Sequence, residues 1–265
     1  MRLAWVTDIH INFVKPGDFR QFLDSVAATQ ADAYLVSGDI GEAPQLPMYL
    51  KSLADAWRKP VYFVLGNHDY YKSTFARVTE TVRLLAKNLK GLTWLNDVPF
   101  VPLTPTLALV GHDGWADGRC GDYANSRVEL ADFTNIEDFA KLDRAGHLRV
   151  MQERAQAAAD HLRTNLAAAL DKHTQALVVT HIPPFAGAAW HEGKPSEPDW
   201  QPFFASQVAG EALLAVMQAR PDRSAAVLCG HTHSGGVYQP LPNLTVYTGA
   251  ACYGAPTLQQ VFDVQ

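Results

Sequence analysis

The chain has 265 residues, of which 48% are hydrophobic and 18% charged, and this composition excludes an intrinsically disordered protein. With 22 basic and 27 acidic residues the formal net charge is −5, so general nucleic-acid binding through a basic surface is not expected. Three widely spaced cysteines without a C-x-x-C pair exclude a disulfide framework and a thiolate metal site, and they favour a reducing compartment.

The N-terminal apolar stretch is too short for a signal peptide, and no apolar run is long enough to span a bilayer. We therefore expect a soluble, cytoplasmic protein with no membrane partner. The sequence carries no information on the oligomeric state.

Short apolar runs alternate along the chain with segments of helical periodicity. The predicted strands are 3–6, 33–36, 61–65, 93–95, 107–110, 176–179 and 225–229, with short ones near 100 and at the C-terminus. The predicted helices are 19–27, 46–57, 75–89, 148–170 and 208–219. This alternation favours a mainly parallel core sheet with helices on its faces. Because no repeat or linker interrupts it, we predict a single domain over residues 1–265.

Two long segments fit no regular element. Residues 111–135 are rich in Gly, Asp and Asn, and residues 182–206 are rich in Pro and aromatic residues. Irregular connections of this length in a compact domain are usually functional loops or lids. Two interpretations stay open: loops near the active site, or surface loops held down by their own aromatic residues.

Five predicted strands are followed directly by Asp, Asn or His residues. These residues are Asp8 with His10, Asp39, Asn67 with His68 and Asp69, His181, and His231 with His233. Ligands of open α/β sheets bind at the carboxyl edge of the strands, so the side chains are expected to meet there. A single Asp or His after a strand is usually a helix cap or a surface residue, but five such coincidences favour a metal site.

The types of these residues also limit which metal ions could bind. Imidazole, carboxylate and amide ligands without a thiolate suit Mn²⁺, iron or Zn²⁺ and do not discriminate among them. Glycine precedes Asp39, Asn67 and His231, which lets the backbone turn sharply and direct each side chain to the rim of the sheet. Two divalent ions about 4 Å apart that share a carboxylate can bind a phosphoryl oxygen and lower the pKa of a shared water.

The order of these motifs resembles the signature of the calcineurin-like metallophosphoesterase family. That signature is D-x-H, G-D-x-x-[D/E/N], G-N-H-[D/E], a lone His and G-H-x-H. Its counterparts are Asp8-Ile9-His10, Gly38-Asp39-Ile40-Gly41-Glu42, Gly66-Asn67-His68-Asp69, Thr180-His181 and Gly230-His231-Thr232-His233. The resemblance covers most of the chain. It implies an α/β fold, a four-layer α/β/β/α sandwich with two mixed central sheets.

The resemblance also implies roles for single residues. One metal would be held by Asp8, His10 and His233, and the other by Asn67, His181 and His231, with Asp39 bridging both. The hydroxide shared by the metals would be the nucleophile. His68 would bind a phosphoryl oxygen or protonate the leaving group. Asp69 is expected to orient His68 or raise its pKa, or alternatively to cap the following helix. Glu42 is expected to cap or support the segment after it.

We therefore predict a binuclear metal-dependent hydrolase of phosphate esters, either a phosphodiesterase or a small-molecule or nucleotide phosphatase. A serine/threonine phosphoprotein phosphatase and a non-catalytic metal-binding scaffold of the same fold are the alternatives. A scaffold is expected to lose ligands or the catalytic His, and this chain keeps them all. The residues considered for substrate contact are Tyr70, Tyr71, His112, Trp115, Arg119 and Arg127, although a residue of this kind is more often an ordinary loop residue. The sequence leaves the substrate, the monoester or diester preference and the native metal open.

Overall fold

The computed structural model describes all 265 residues. The strands are β1 (Arg2–Val6), β2 (Ala33–Ser37), β3 (Val61–Val64), β4 (Leu92–Trp94), β5 (Val101–Pro102), β6 (Leu107–His112), β7 (Gln175–Thr180), β8 (Trp190–His191), β9 (Lys194–Pro195), β10 (Ser224–Cys229), β11 (Gly236–Leu241), β12 (Leu244–Thr248) and β13 (Leu258–Asp263). The helices are α1 (Pro16–Ala27), α2 (Leu46–Trp57), α3 (Phe75–Asn88), α4 (Asp132–Asn135), α5 (Arg144–Leu170), α6 (Gln201–Phe204) and α7 (Gln207–Gln218). None of the helices is both long and apolar enough to cross a membrane.

The central strands form two mixed sheets. The first has the order β13-β1-β2-β3-β4, in which β1 to β4 are parallel and β13 runs antiparallel to β1. The second has the order β11-β12-β10-β7-β6-β5, in which only the two edge strands are antiparallel to their neighbours. Periodicity alone predicted one sheet. Strands β5, β6, β7, β10, β11 and β12 instead form a second sheet, as the family resemblance implied, whereas β4 and the C-terminal β13 belong to the first.

The two sheets pack face to face, and helices cover their outer faces. Leu3 and Trp5 of β1 point into the inner layer, whereas Ala4 and Val6 point to the helices, because successive strand residues face opposite sides. Inner-layer partners from the second sheet are Leu109, Leu177, Val179 and Leu228. Each side chain of this size stabilises the fold by roughly 1.5–3 kcal/mol on burial. Helices α1 to α3 cover the first sheet, and α5 with α7 cover the second. The predicted four-layer α/β/β/α sandwich is confirmed.

Helix α5 begins at Arg144, four residues before Leu148, the first residue of the predicted apolar stripe. Asp143 caps it, since its side chain accepts a hydrogen bond from the Gly146 N–H at 2.8 Å. The first turn is not apolar, so hydrophobic periodicity did not reveal it.

The two irregular segments contain short elements and pack against each other. Segment 111–135 includes α4, and segment 182–206 includes the β8–β9 hairpin and α6. The Gly118 N–H donates to the Pro202 carbonyl at 3.1 Å, and the Tyr123 and Phe203 rings lie 5.5 Å apart. The two segments therefore form one structural unit at the end of the sandwich.

Candidate metal centre and active site

The polar residues that follow the strands converge at one rim of the sandwich. Strands β1, β2 and β3 bring them from the first sheet, and β7 and β10 bring them from the second. Ligand atoms of four of these residues lie within 4.8 Å of one another: Asp8, His10, Asp39 and His233. These residues could hold a divalent metal ion.

Backbone strain marks the same rim. Nine non-glycine residues have a positive φ, and five of them are predicted ligands: Asp8 (49°), His10 (39°), Asp39 (51°), His231 (74°) and His233 (59°). This conformation costs about 1–3 kcal/mol for each residue and is found mainly at functional sites. The sequence did not predict these left-handed conformations, because Asp and His adopt a positive φ without a characteristic motif.

The first group of donors surrounds one point between the sheets. His10 Nε2 lies 3.1 Å from His233 Nε2 and 3.6 Å from Asp39 Oδ2, and His233 Nε2 lies 3.5 Å from Asp8 Oδ1. Burial lowers the pKa of His10 to about 4, against the opposing effect of Asp39 and Asp8. His10 is therefore neutral at pH 7 and has a lone pair to offer a cation.

The second group of donors presents nitrogen and oxygen lone pairs that could hold a cation. His181 Nδ1 lies 2.9 Å from the Ser37 carbonyl, and His231 Nε2 lies 3.0 Å from the Phe203 carbonyl, so each of these nitrogens carries a hydrogen in the neutral ring. The remaining atoms, His181 Nε2 and His231 Nδ1, face Asn67 Oδ1 at 3.1 and 3.0 Å. Three lone-pair atoms then point at one another, which is favourable only with a cation or a proton among them.

Asp39 lies between the two groups of donors. Its Oδ2 is 3.4 Å from His181 Nε2 as well as 3.6 Å from His10 Nε2. Burial acts to raise the pKa of Asp39, but His181, His68 and His10 hold it well below the usual range. In turn Asp39 and Asp8 outweigh the effect of burial on His181 and raise its pKa to about 10. A cation held by His181 would therefore compete with a proton for this ring.

The side chains of His68 and Asp69 point in different directions and contact different partners. The His68 ring stacks on Tyr71 at 4.3 Å and faces the cavity, and its backbone N–H donates to Asp39 Oδ1 at 2.9 Å. The Asp69 carboxylate accepts N–H groups from Ile40 and Gly41 at 2.9 Å and from Gly66 at 2.8 Å. The structure does not bring the Asp69 carboxylate to the His68 imidazole. Asp69 instead joins the turns that follow β2 and β3.

A cavity of about 370 Å³ opens above the centre. Segment 111–135 lines it with Leu130 to Asp132, and segment 182–206 lines it with His191, Glu192 and Phe204. No Lys or Arg is among its lining residues. Tyr253 from the C-terminal loop covers one side, with its ring 4.6 Å from the His10 ring.

Other residues considered for substrate contact lie in different surroundings. Tyr71 lines the cavity, but Trp115 belongs to the buried core and Arg119 pairs with Asp117 at 3.4 Å. Sequence reasoning missed Asp132 and Tyr253, since both lie in irregular segments without a motif.

The family comparison agrees with this arrangement. The family model of the calcineurin-like phosphoesterases matches residues 1–235. The chain belongs to this family. No curated protein sequence matches this calcineurin-like phosphoesterase significantly.

Two solved structures share the fold of this calcineurin-like phosphoesterase. A phosphopantetheinyl hydrolase from Mycobacterium tuberculosis aligns with a TM-score of 0.66 and 15% identity, over 95% of this chain and 89% of its own. A dimetal phosphatase from Danio rerio aligns with a TM-score of 0.62 and 15% identity, over 98% of this chain and 91% of its own. At this level of identity the likeness shows the fold alone.

Proposed function

We propose that this calcineurin-like phosphoesterase is a binuclear metal-dependent hydrolase of phosphate esters, built as one catalytic domain over residues 1–265. The observation that carries the proposal is the position of Asp39 between two groups of donors, within 3.6 Å of His10 Nε2 and 3.4 Å of His181 Nε2. A carboxylate in this position can be shared by two cations.

The donors divide into two sets around Asp39. We assign Asp8, His10 and His233 to one cation and Asn67, His181 and His231 to the other, with Asp39 bridging. Oxygen and nitrogen ligands of this kind suit Mn²⁺, iron or Zn²⁺. When bound, two such cations polarise the phosphoryl group and activate water at neutral pH.

His68 supplies the proton that the reaction requires. Its ring faces the cavity and is held by the stack on Tyr71 and by the backbone bond to Asp39. From this position it donates to the oxygen of the leaving group, which typically contributes about 10²–10⁴-fold to the rate. Asp69 acts indirectly, because its bonds to three backbone N–H groups fix the turns that carry Asp39 and His68.

The charge of the cavity favours some substrates over others. Its lining contains Asp132 and Glu192 but no Lys or Arg, so the cations and a protonated His68 must balance the charge of a substrate. A phosphate monoester carries about −1.5 to −2 charge at neutral pH, more than a diester does. The cavity thus favours a phosphodiester or a small organic phosphate over a nucleoside polyphosphate. The Mycobacterium tuberculosis neighbour is a phosphopantetheinyl hydrolase, and such an ester would be of this class.

The test compares two esters that share a chromophore. Protein stripped with a chelator and reloaded with Mn²⁺ is assayed on bis-p-nitrophenyl phosphate and p-nitrophenyl phosphate, and its metal content is measured. We expect two ions per chain and metal-dependent turnover that is faster for the diester. Turnover of the monoester alone would indicate a phosphatase, including a phosphoprotein phosphatase. Two bound ions without turnover of either ester would favour the non-catalytic scaffold.

A further inference from the structure

One buried carboxylate of segment 111–135 contacts both a proposed metal ligand and the residue that stacks on His68. Asp132, the first residue of α4, has only 5% of its surface exposed. Its Oδ1 atom accepts hydrogen bonds from Asn67 Nδ2 at 2.8 Å and from the Tyr71 hydroxyl at 2.6 Å. A carboxylate that accepts two such donors with one oxygen fixes the direction of both side chains.

The first bond determines which end of the Asn67 amide faces the metal centre. An Asn side chain can present either its carbonyl oxygen or its NH₂ group, and only the oxygen can bind a cation. Because the NH₂ group donates to Asp132, the oxygen points to His181 Nε2 and His231 Nδ1 at 3.1 and 3.0 Å. Without Asp132, the amide is free to turn its NH₂ group into the centre and so remove one ligand.

The second bond determines where the His68 ring lies. The Tyr71 ring stacks on the His68 ring with the centroids 4.3 Å apart and the planes 26° apart. The hydroxyl bond to Asp132 holds the Tyr71 ring at its far end. Through Tyr71, Asp132 therefore holds the ring of His68, the proposed proton donor. Through Asn67, it orients one ligand of the second metal subsite, which is the group of donors Asn67, His181 and His231.

The surroundings of Asp132 hold it in place. The next residue, Phe133, stacks on His147 of α5 at 4.2 Å and contacts the Phe203 ring at 6.0 Å. The carbonyl of Phe203 accepts the imidazole Nε2–H of His231 at 3.0 Å, so segment 182–206 orients a second proposed ligand of the same cation. Hydrogen bonds to the far side of a ligand typically set metal affinity in this way.

We propose that Asp132 is a positioning residue that couples the second metal subsite to His68. The proposal rests on the proposed function, because it requires a cation held by Asn67, His181 and His231. It assigns to segment 111–135 a role in forming the active site, beyond covering it.

The test compares four variants. Asp132→Ala removes both bonds, Asp132→Asn retains an oxygen that can accept them, and Tyr71→Phe removes only the hydroxyl bond. Asp143→Ala is the matched control, since it removes a carboxylate that caps α5 and contacts no proposed ligand. For each variant we would measure the stoichiometry and Kd of Mn²⁺, the electron paramagnetic resonance signal of coupled Mn²⁺ pairs, and kcat and KM separately.

We expect Asp132→Ala to bind one ion normally and the other about 10–100-fold more weakly, with loss of the coupled-pair signal. Asp132→Asn should restore most of this affinity, and Tyr71→Phe should keep both ions but lower kcat. Asp143→Ala should lower the melting temperature alone. If Asp132→Ala and Asp132→Asn both bind two ions like the wild type, the proposal is overturned. A wild type that binds fewer than two ions would instead overturn the proposed function, and this proposal with it.

Discussion

The Oδ1 atom of Asp39 accepts the backbone N–H of His68 at 2.9 Å, while its Oδ2 atom faces His10 and His181. One carboxylate therefore fixes both the centre of the proposed metal site and the residue proposed as proton donor. Asp69 joins the same two turns from the other side through the N–H groups of Ile40, Gly41 and Gly66. A change at Asp39 is expected to disturb metal binding and proton donation together.

Asp39→Asn tests the bridging role. The amide keeps the shape of the side chain but removes the charge that both cations would share, so both should bind more weakly and to a similar extent. We expect metal content after dialysis to fall from two ions towards none, and kcat/KM to fall by at least about 10³-fold, comparable to removal of a key transition-state interaction. Retention of one ion with wild-type affinity would contradict the bridge.

His68→Ala tests the proton donor. The variant should retain both ions but lose about 10²–10⁴-fold in kcat, the usual contribution of general acid catalysis. The loss should be larger for an alkyl ester than for a p-nitrophenyl ester, because the alkoxide needs a proton more. His191→Ala is the matched control, since His191 lines the same cavity without stacking on Tyr71. An equal loss with both leaving groups, or loss of a metal ion, would show that His68 has another role.

Tyr253→Ala tests the aromatic side of the cavity. The Tyr253 ring is half exposed and lies against His10 at 4.6 Å, His233 at 4.9 Å and the exposed Phe13 at 4.8 Å. An apolar ester group can pack on this ring, so the substitution should raise KM about 3- to 10-fold, the effect of one aromatic contact of ~1 kcal/mol. Tyr253→Phe should leave KM nearly unchanged. If Tyr253→Ala alters kcat alone, the ring does not bind substrate.

Many residues of the candidate site could be predicted, because the ends of buried strands can be recognised in the sequence. Asp8, Asp39 and His181 each follow an apolar run, and parallel strands bring their ends to one edge. Two sheets could not be deduced from periodicity, since a strand in the second sheet has the same apolar pattern as a strand in the first. The resemblance to a known signature supplied that information.

Contacts made by irregular segments could not be predicted. Asp132 lies 65 positions from Asn67 in a segment without periodicity, and nothing in the local sequence pairs the two. The predicted link between Asp69 and His68 rested on adjacency alone. In the structure His68 and Asp69 lie in one turn of 3-10 helix, and their side chains meet different partners: His68 stacks on Tyr71, and Asp69 accepts the backbone N–H of Ile40. Backbone direction at turns is thus the information that the sequence analysis lacked.

His112→Gln tests a pH dependence away from the metal centre. Burial, with His161 and Arg154 nearby, lowers the pKa of His112 from 6.5 to about 3, and its Nδ1 accepts the Gly114 N–H at 3.1 Å. At a pH between these two pKa values, His112 is protonated in the unfolded chain but not in the folded chain. The free energy of unfolding should therefore fall as pH decreases below 6.5, by up to about 1.4 kcal/mol per pH unit from this residue.

The measurement is urea unfolding of metal-free wild type and His112→Gln from pH 7 to pH 4. The histidines that do not contact His112 contribute equally to both proteins, so the difference reports on His112 together with its neighbour His161. The variant should lose less stability on acidification. Parallel curves would contradict the predicted pKa.

Gly230→Ala tests whether the turn before His231 must be free of a side chain. A Cβ atom at Gly230 would lie 1.9 Å from Asp8 Oδ2 and 2.2 Å from Thr7 Oγ1, so the carboxylate would have to move. We expect a loss of ~1–3 kcal/mol in stability, typical of overpacking a tight site, and weaker Mn²⁺ binding through Asp8. Gly17→Ala in α1 is the matched control, because nothing lies within 4 Å of its added Cβ. Thermal unfolding with and without Mn²⁺ measures both effects, and Gly230→Ala protein that Mn²⁺ stabilises as strongly as the wild type would contradict this account of the turn.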